Sequence, residues 1–481
     1  MSRILPRSTP LAEGVEPAAV RRLIDSLDRI EDVHSVLVLR HGRVIAEGGW
    51  HPHTTDRPHE MFSVSKSFTS TAVGFAVHEG LLTLDDSVLD LLPDDAPADP
   101  SEHLRAMRVR DLLTMTTGHS ASTMEGINRT ISLPGAGWAR AILAEPVEHQ
   151  PGTRFVYNTG ATYLLSAILH RLTGERLLDY LTPRLLAPLG ITHATWEQDP
   201  DGIDTGGFGL SITIEEMAAF GQLYLQGGVW EGKQLVPAEW VAAATAKQVE
   251  NGPGDSDWSQ GYGYQFWQCR HGAYRADGAF GQYILVWPEK DLVITTTSGL
   301  SDLSLVLEAV WDAFLRDDAW VTPTDAESPT PETADETGTL ELALRTPAGA
   351  ESIPVEDSLL GVTYDLDPNP RGFTALTLGR GADGRTEVVF TVGGVDRVVQ
   401  FGYEEWCPGT SAFLGEPADV ATAAAWTDEL TLRGRMIFLG TPFELRLELR
   451  FSGEDVAVLL DQNVAFGERG VLDVSGKARR T

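Results

Sequence analysis

Apolar residues recur at helical spacing over residues 18–30, where Val20, Leu23, Ile24, Leu27 and Ile30 share one stripe, so an amphipathic helix is expected first. The period then changes. Residues 35–40 and 43–47 carry strand-type side chains on either side of His41-Gly42, and the glycine supplies the positive φ that a tight hairpin needs. Residues 69–78 return to helical spacing and stop before Gly80, a natural C-terminal cap.

From Leu81 to Gly228 the pattern is mostly helical: a short helix at 109–116, and a longer one at 160–173 closed by Gly174. A capping box of Thr213 and Glu216 opens a helix that runs to Gln226. Strands at 282–287 and 292–297 bracket Pro288-Glu289-Lys290-Asp291, and an apolar helix occupies 303–315. Strands at both ends with helices between them predict an α/β (α+β) domain over residues 1–316. It consists of an antiparallel sheet flanked by terminal helices, with a helical subdomain.

Residues 317–339 shift to proline, threonine and acid and read as a linker. Beyond it, runs at 359–364, 387–392, 397–403, 429–433, 443–451 and 457–460 alternate between turns. They predict a C-terminal all-β domain over 340–481, either a sheet or a barrel.

Composition narrows the partners. The 481 residues carry a formal net charge of -32, which argues against nucleic acid or an anionic membrane surface, since both need clustered Lys and Arg. Cys269 and Cys407 form no disulfide framework or C-x-x-C pattern and are expected to be reduced and structural. The first seventeen residues lack a continuous apolar run, so a cytoplasmic protein is expected. His51, His53 and His59 lie on a segment made extended by Pro52 and Pro58, with no helical metal-ligand spacing; neither metal nor cofactor is expected.

The candidate chemistry begins at Phe62-Ser63-Val64-Ser65-Lys66-Ser67-Phe68, an S-x-x-K pattern at a helix start. The spacing puts Ser63 and Lys66 on one face. A lysine kept neutral by burial could take the serine proton, and the helix N-terminus would favour a developing oxyanion. Downstream, Pro151 to Gly160 delivers Tyr157 just before a helix, where a phenol could serve as a second proton-transfer group. Gly278 lies at a strand end where substrate could approach closely, and a backbone N–H beside it could join that of Ser63 in an oxyanion hole. No G-x-S-x-G is present, which weakens an α/β-hydrolase reading.

These segments in this order resemble the serine β-lactamase-like hydrolases: class C β-lactamases, family VIII esterases, D-aminopeptidases and 6-aminohexanoate-dimer hydrolases. The likeness spans about residues 10–316 and also rests on Leu112 to Gly118 and on Gly206-Gly207-Phe208-Gly209-Leu210. It implies Ser63 as nucleophile, Lys66 as its base partner and Tyr157 as the second-motif tyrosine. It also implies a second oxyanion donor at Ala279, and Asn158, Thr159, Gly278 and Phe280 beside a small-molecule substrate.

Two departures stand out. Thr159 occupies the family asparagine position, with Asn158 one residue early. Ala276 replaces the basic residue of the third motif, and a second register would make Ala276 itself the oxyanion donor. Some relatives of this kind carry extra β domains, including lipocalin-like ones. Here the C-terminal domain is expected to be dispensable for chemistry while shaping substrate access or forming a homodimer. The functional expectation is a serine esterase or amidase; the alternatives are a weak or inactive binding or sensor protein of the same fold, or a true β-lactamase.

Overall fold

The computed structural model describes residues 4–124, 137–321, 339–413 and 416–479. The first helix, α1 (Pro17–Asp28), turns its buried Ala19, Val20, Leu23, Ile24 and Leu27 inward, with proline at its start. The hairpin β1 (Val33–Arg40) and β2 (Arg43–His51) follows, and then α2 (Ser65–His78), nearly all of it buried. Helices α3 (Thr159–Thr173) and α4 (Ile214–Leu225) begin where the caps predict: Asn158 accepts from Gly160 N, and Thr213 and Glu216 form the capping box. Strands β3 (Trp267–Gln268), β4 (Tyr274–Gly278), β5 (Gln282–Trp287) and β6 (Leu292–Ser298) lead into α5 (Ser304–Phe314).

One sheet holds these strands, in the order β7-β2-β1-β6-β5-β4-β3, where β7 is Thr339–Ala343. All neighbours are antiparallel except β7, which lies parallel to β2 with Leu340 opposite Gly48. The strands within residues 1–316 are antiparallel as expected, and the first residues assigned to the C-terminal domain add one parallel strand at an edge of their sheet. The expected linker falls mostly outside the described residues.

The sheet separates two cores. On one face Val36, Val38, Tyr283, Leu285 and Ile294 pack with α1 and α5; on the other Leu37, Leu39, Ala276, Ile284 and Val293 pack with α2 and α4. This alternation is the two-residue period of a strand buried on both sides.

The C-terminal strands are β8 (Thr363–Leu366), β9 (Phe373–Arg380), β10 (Thr386–Val392), β11 (Val395–Phe401), β12 (Cys407–Ser411), β13 (Ala418–Trp426), β14 (Thr431–Phe438), β15 (Glu444–Ser452), β16 (Asp455–Gln462) and β17 (Gly470–Ala478). Each pairs with the next in sequence except β11 and β12, and β8 also pairs with β17. Gly402, just after β11, exchanges backbone hydrogen bonds with Thr422 and Ala424 of β13, so the sheet curls into a near-barrel. Phe390, Phe401, Met436, Leu445 and Leu447 fill its interior.

The near-barrel docks on the first domain. Arg435 and Arg446 ion-pair with the buried Asp32 at 3.1 and 2.8 Å, and Arg57 pairs with Asp419 at 2.9 Å. Glu60 N donates to Gly440 O, and Asn463 Nδ2 donates to Gly299 O. Among the described residues no helix is long and apolar enough to cross a membrane. Cys269 and Cys407 are buried and unpaired.

Candidate active site

Ser63 sits in a single 3-10 turn, Phe62–Val64, that runs directly into α2. Lys66, in the first turn of α2, is 1% exposed. Its Nζ lies 2.9 Å from Ser63 Oγ, 3.2 Å from Thr159 Oγ1 and 2.7 Å from Gly207 O. Burial pushes the Lys66 amine down from 10.5 to about 7, against the opposing charge of Asp277. A neutral amine has two N–H donors and one lone pair, which matches these three neighbours. Gly207 and Thr159 can accept, and the serine hydroxyl can donate.

Gly207 must be glycine for this to work, since a Cβ there would stand 2.7 Å from Thr159 Cγ2. The Gly206–Leu210 loop is fastened to α2 by Thr69 Oγ1 donating to Gly206 O and by Leu210 N donating to Ser65 Oγ. The glycine-rich loop thus presents a carbonyl to the lysine.

Tyr157 is half-buried, with its phenol near Ser63. Its ring lies 5.1 Å from Lys66 Nζ and stacks on Trp267 at 5.3 Å. Burial raises its pKa far above the ordinary tyrosine value, with the nearby Ser63 hydroxyl acting the other way, so it remains a phenol. Serine, lysine and tyrosine are thus brought together as the sequence motifs predict.

Two expected substrate contacts are replaced by structural ones. Asn158 is fully buried and spent on the fold: its Oδ1 accepts from Gly160 N, Thr123 N and Thr123 Oγ1, each at 3.0 Å. An asparagine that caps a helix and holds a loop cannot also face substrate. Gly278 is tight against the protein itself, because a Cβ there would come within 2.3 Å of Met61 O. Its lack of a side chain lets β4 lie against the backbone at Met61, and the next residue, Ala279, packs with Phe62 and Phe280.

Phe280, expected beside substrate, is 8% exposed and has φ 65°. It packs with Phe62, and both meet residues of the near-barrel: Phe443 at 5.8 and 6.3 Å, Phe466 at 4.8 and 5.7 Å. Val464 is buried in the same cluster. These C-terminal residues were invisible to sequence reasoning, since a strand-rich segment beyond a linker gives no sign of which surface it covers.

Ala276 faces the α2 side of the sheet, in the core that contains Phe68 and Val64. Arg275 is fully buried on the opposite side and forms an ion pair with Asp277 at 2.7 Å. It also donates to Asp257 O and Cys269 Sγ. No cation replaces the missing basic residue from that strand. His53 and His59 are buried with His34, which stacks on His53 at 3.7 Å and contacts His59 Nε2 at 3.1 Å. Among the described residues no group of three His, Cys, Asp or Glu is placed to hold a metal.

A mixed sheet between terminal helices and a helical region, with S-x-x-K at the buried start of α2, defines the β-lactamase-like class of hydrolase folds. The Beta-lactamase family model matches residues 20–303, and the chain belongs to that family. Among curated proteins, the 6-aminohexanoate-dimer hydrolase of Paenarthrobacter ureafaciens is 28% identical over 309 residues, covering 59% of this chain and 78% of the relative.

Among solved structures, EstCE1, described as a hydrolase with promiscuous acyltransferase activity, superposes with a TM-score of 0.51 at 18% identity. It covers 62% of this chain and 98% of its own. The octameric penicillin-binding protein homologue from Pyrococcus abyssi has a TM-score of 0.50 at 16% identity and covers 95% of this chain and 98% of its own. At such identities the two structures establish the fold, and the second extends it across the near-barrel.

Proposed function

We propose that the protein is a serine hydrolase that cleaves small esters or amides through an acyl-enzyme on Ser63. The observation that carries this reading is the buried Lys66 amine, 2.9 Å from Ser63 Oγ and anchored to Gly207 O. Ser63 Oγ attacks the substrate carbonyl carbon as its proton passes to Lys66, and the carbonyl electrons move onto oxygen. The backbone N–H groups of Ser63 and Ala279 receive that oxyanion. Tyr157, beside both Ser63 and Lys66, relays the proton to the departing alcohol or amine as the bond to carbon breaks. Water then attacks the acyl-enzyme with the same groups in reverse, releasing the acid and restoring Ser63.

The curated relative named for a 6-aminohexanoate dimer supports amides within the range, alongside esters. Treatment with a fluorophosphonate followed by intact-mass and peptide analysis tests the assignment. One adduct on Ser63 is expected, absent in Ser63→Ala. An adduct on Ser65 or Ser67, or one that survives Ser63→Ala, would overturn it.

A further inference from the structure

Between the two domains lies a cavity of about 390 Å³ that begins at Ala279, the proposed second oxyanion donor. Phe280, Leu300 and Leu303 form its wall on the hydrolase side, and Val464 and Ala465 face them from the loop joining β16 to β17. This lining is apolar. At its rim stand Ser301 and Arg469.

The loop that brings Arg469 there is fixed at its base. Asn463 is buried; its Nδ2 donates to Gly299 O and Pro442 O at 3.1 and 2.9 Å, and its Oδ1 accepts from Glu444 N at 2.8 Å. Arg469 Nη1 in turn donates to Asn463 O at 3.1 Å and reaches Ser301 Oγ at 3.5 Å. Among the described residues no carboxylate lies within ion-pair distance of Arg469. In a chain of net charge -32, this leaves a guanidinium open to an external anion at the mouth of an apolar pocket.

We infer that this interdomain cavity is a substrate subsite, and that Arg469 receives a carboxylate carried at the end of an aliphatic chain on the ester or amide being cleaved. The inference rests on the hydrolase reading above. The planar guanidinium can meet both carboxylate oxygens at once, and the apolar walls suit the methylenes that connect that charge to the scissile bond. Because the overall negative field repels an anionic substrate, the local cation decides whether such a substrate is accepted. The near-barrel then acts as a specificity element of the active site.

The test compares matched esters on the full-length protein, with the charge placed on either side of the bond. One pair is mono-p-nitrophenyl adipate against p-nitrophenyl hexanoate; the other is 6-acetoxyhexanoate against hexyl acetate. At least one pair is expected to favour the carboxylate in kcat/KM by about five- to tenfold, between the effects of an exposed and a buried ion pair. That preference should vanish in Arg469→Ala, reverse in Arg469→Glu and largely survive in Arg469→Lys.

A preference for the neutral ester in both pairs, or one for the carboxylate that persists in Arg469→Ala, would overturn the inference. Wild-type protein that hydrolyses none of the four would instead overturn the hydrolase reading, and this subsite with it.

Discussion

The rings of Phe62 and Phe280 meet edge to face with centroids 5.4 Å apart, and both residues have positive φ, 46° and 65°. Phe62 precedes Ser63 and Phe280 follows Ala279, so the contact clasps the two backbone segments that would bind an oxyanion. A bulky residue in this region of φ costs about 1–3 kcal/mol and persists only where its surroundings hold it. The surroundings here are Phe443, Val464 and Phe466 of the near-barrel.

Phe280→Ala should therefore damage both stability and turnover. Removing a buried phenylalanine costs about 3–5 kcal/mol. Loosening the donor at Ala279 should lower kcat for p-nitrophenyl butyrate by about tenfold or more, since small misplacements at a reacting centre carry losses of this order. Denaturant midpoints and steady-state kinetics check the two effects; a variant that loses stability but keeps kcat would show that the clasp does not position the oxyanion donor.

The near-barrel should not be dispensable, contrary to the expectation from sequence. A chain ending near Asp317 lacks β7, which pairs with β2, and uncovers Phe62 and Phe280. Such a chain is expected to label with a fluorophosphonate at least about tenfold more slowly than the full protein, consistent with a disturbed donor geometry. Labelling at the full rate would show that the first domain holds its own site.

Lys66 sets the pH dependence. With its amine lowered to about 7 by burial, the base is protonated below that pH and free above it, so kcat/KM should rise with pH through about 7 and then level. Lys66→Ala and Tyr157→Phe should each lower kcat by about a hundredfold or more. Stability moves in the same direction: the unfolded amine titrates near 10.5, so between about 7 and 10.5 the unfolded chain binds a proton that the folded chain lacks, and stability rises with pH. Lys66→Met should then melt higher than wild type near about pH 8 while losing activity. A lower melting temperature would mean that the contacts to Gly207 and Thr159 outweigh the burial of the amine.

Asn158→Ala should behave as a structural lesion. The substitution removes the cap of α3 and leaves Thr123 without its acceptor, at a cost of about 1–3 kcal/mol. KM for a small ester should change little. A large rise in KM without loss of stability would return Asn158 to the substrate site.

Much of this was legible in the sequence wherever a local signal fixed a local structure. Gly80 and Gly174 mark helix ends, Thr213 and Glu216 mark a start, and the motifs of Ser63, Lys66 and Tyr157 pick out side chains that the fold brings together. Signals failed where tertiary context decides. Residues 418–426 are alanine-rich and have no strand period, yet they form β13 because both neighbouring strands bond to them. Residues 339–343 look like a domain start and instead finish another domain's sheet. Asn158 reads as a family position shifted by one, whereas its helix-capping geometry is what fixes it.

Ala276 leaves the α2 side of β4 without a cation. It lies on the catalytic side of β4, where relatives of this fold were expected to present a base, and Arg275 is sealed on the other side by Asp277. A β-lactam holds its carboxylate rigidly, one ring atom from the bond that breaks, so it needs a cation at that place. An ion-paired hydrogen bond of this kind contributes about 1.5–3 kcal/mol, or about ten- to a hundredfold in affinity. Arg469 stands beyond the Phe280 turn and suits a charge on a flexible chain instead. Turnover of p-nitrophenyl butyrate is therefore expected to exceed that of nitrocefin in kcat/KM, and Ala276→Lys should narrow the gap by supplying the cation where the β-lactam carboxylate falls. A wild-type preference for nitrocefin would show that another group provides that charge, and the substrate class would have to be redrawn as a β-lactamase.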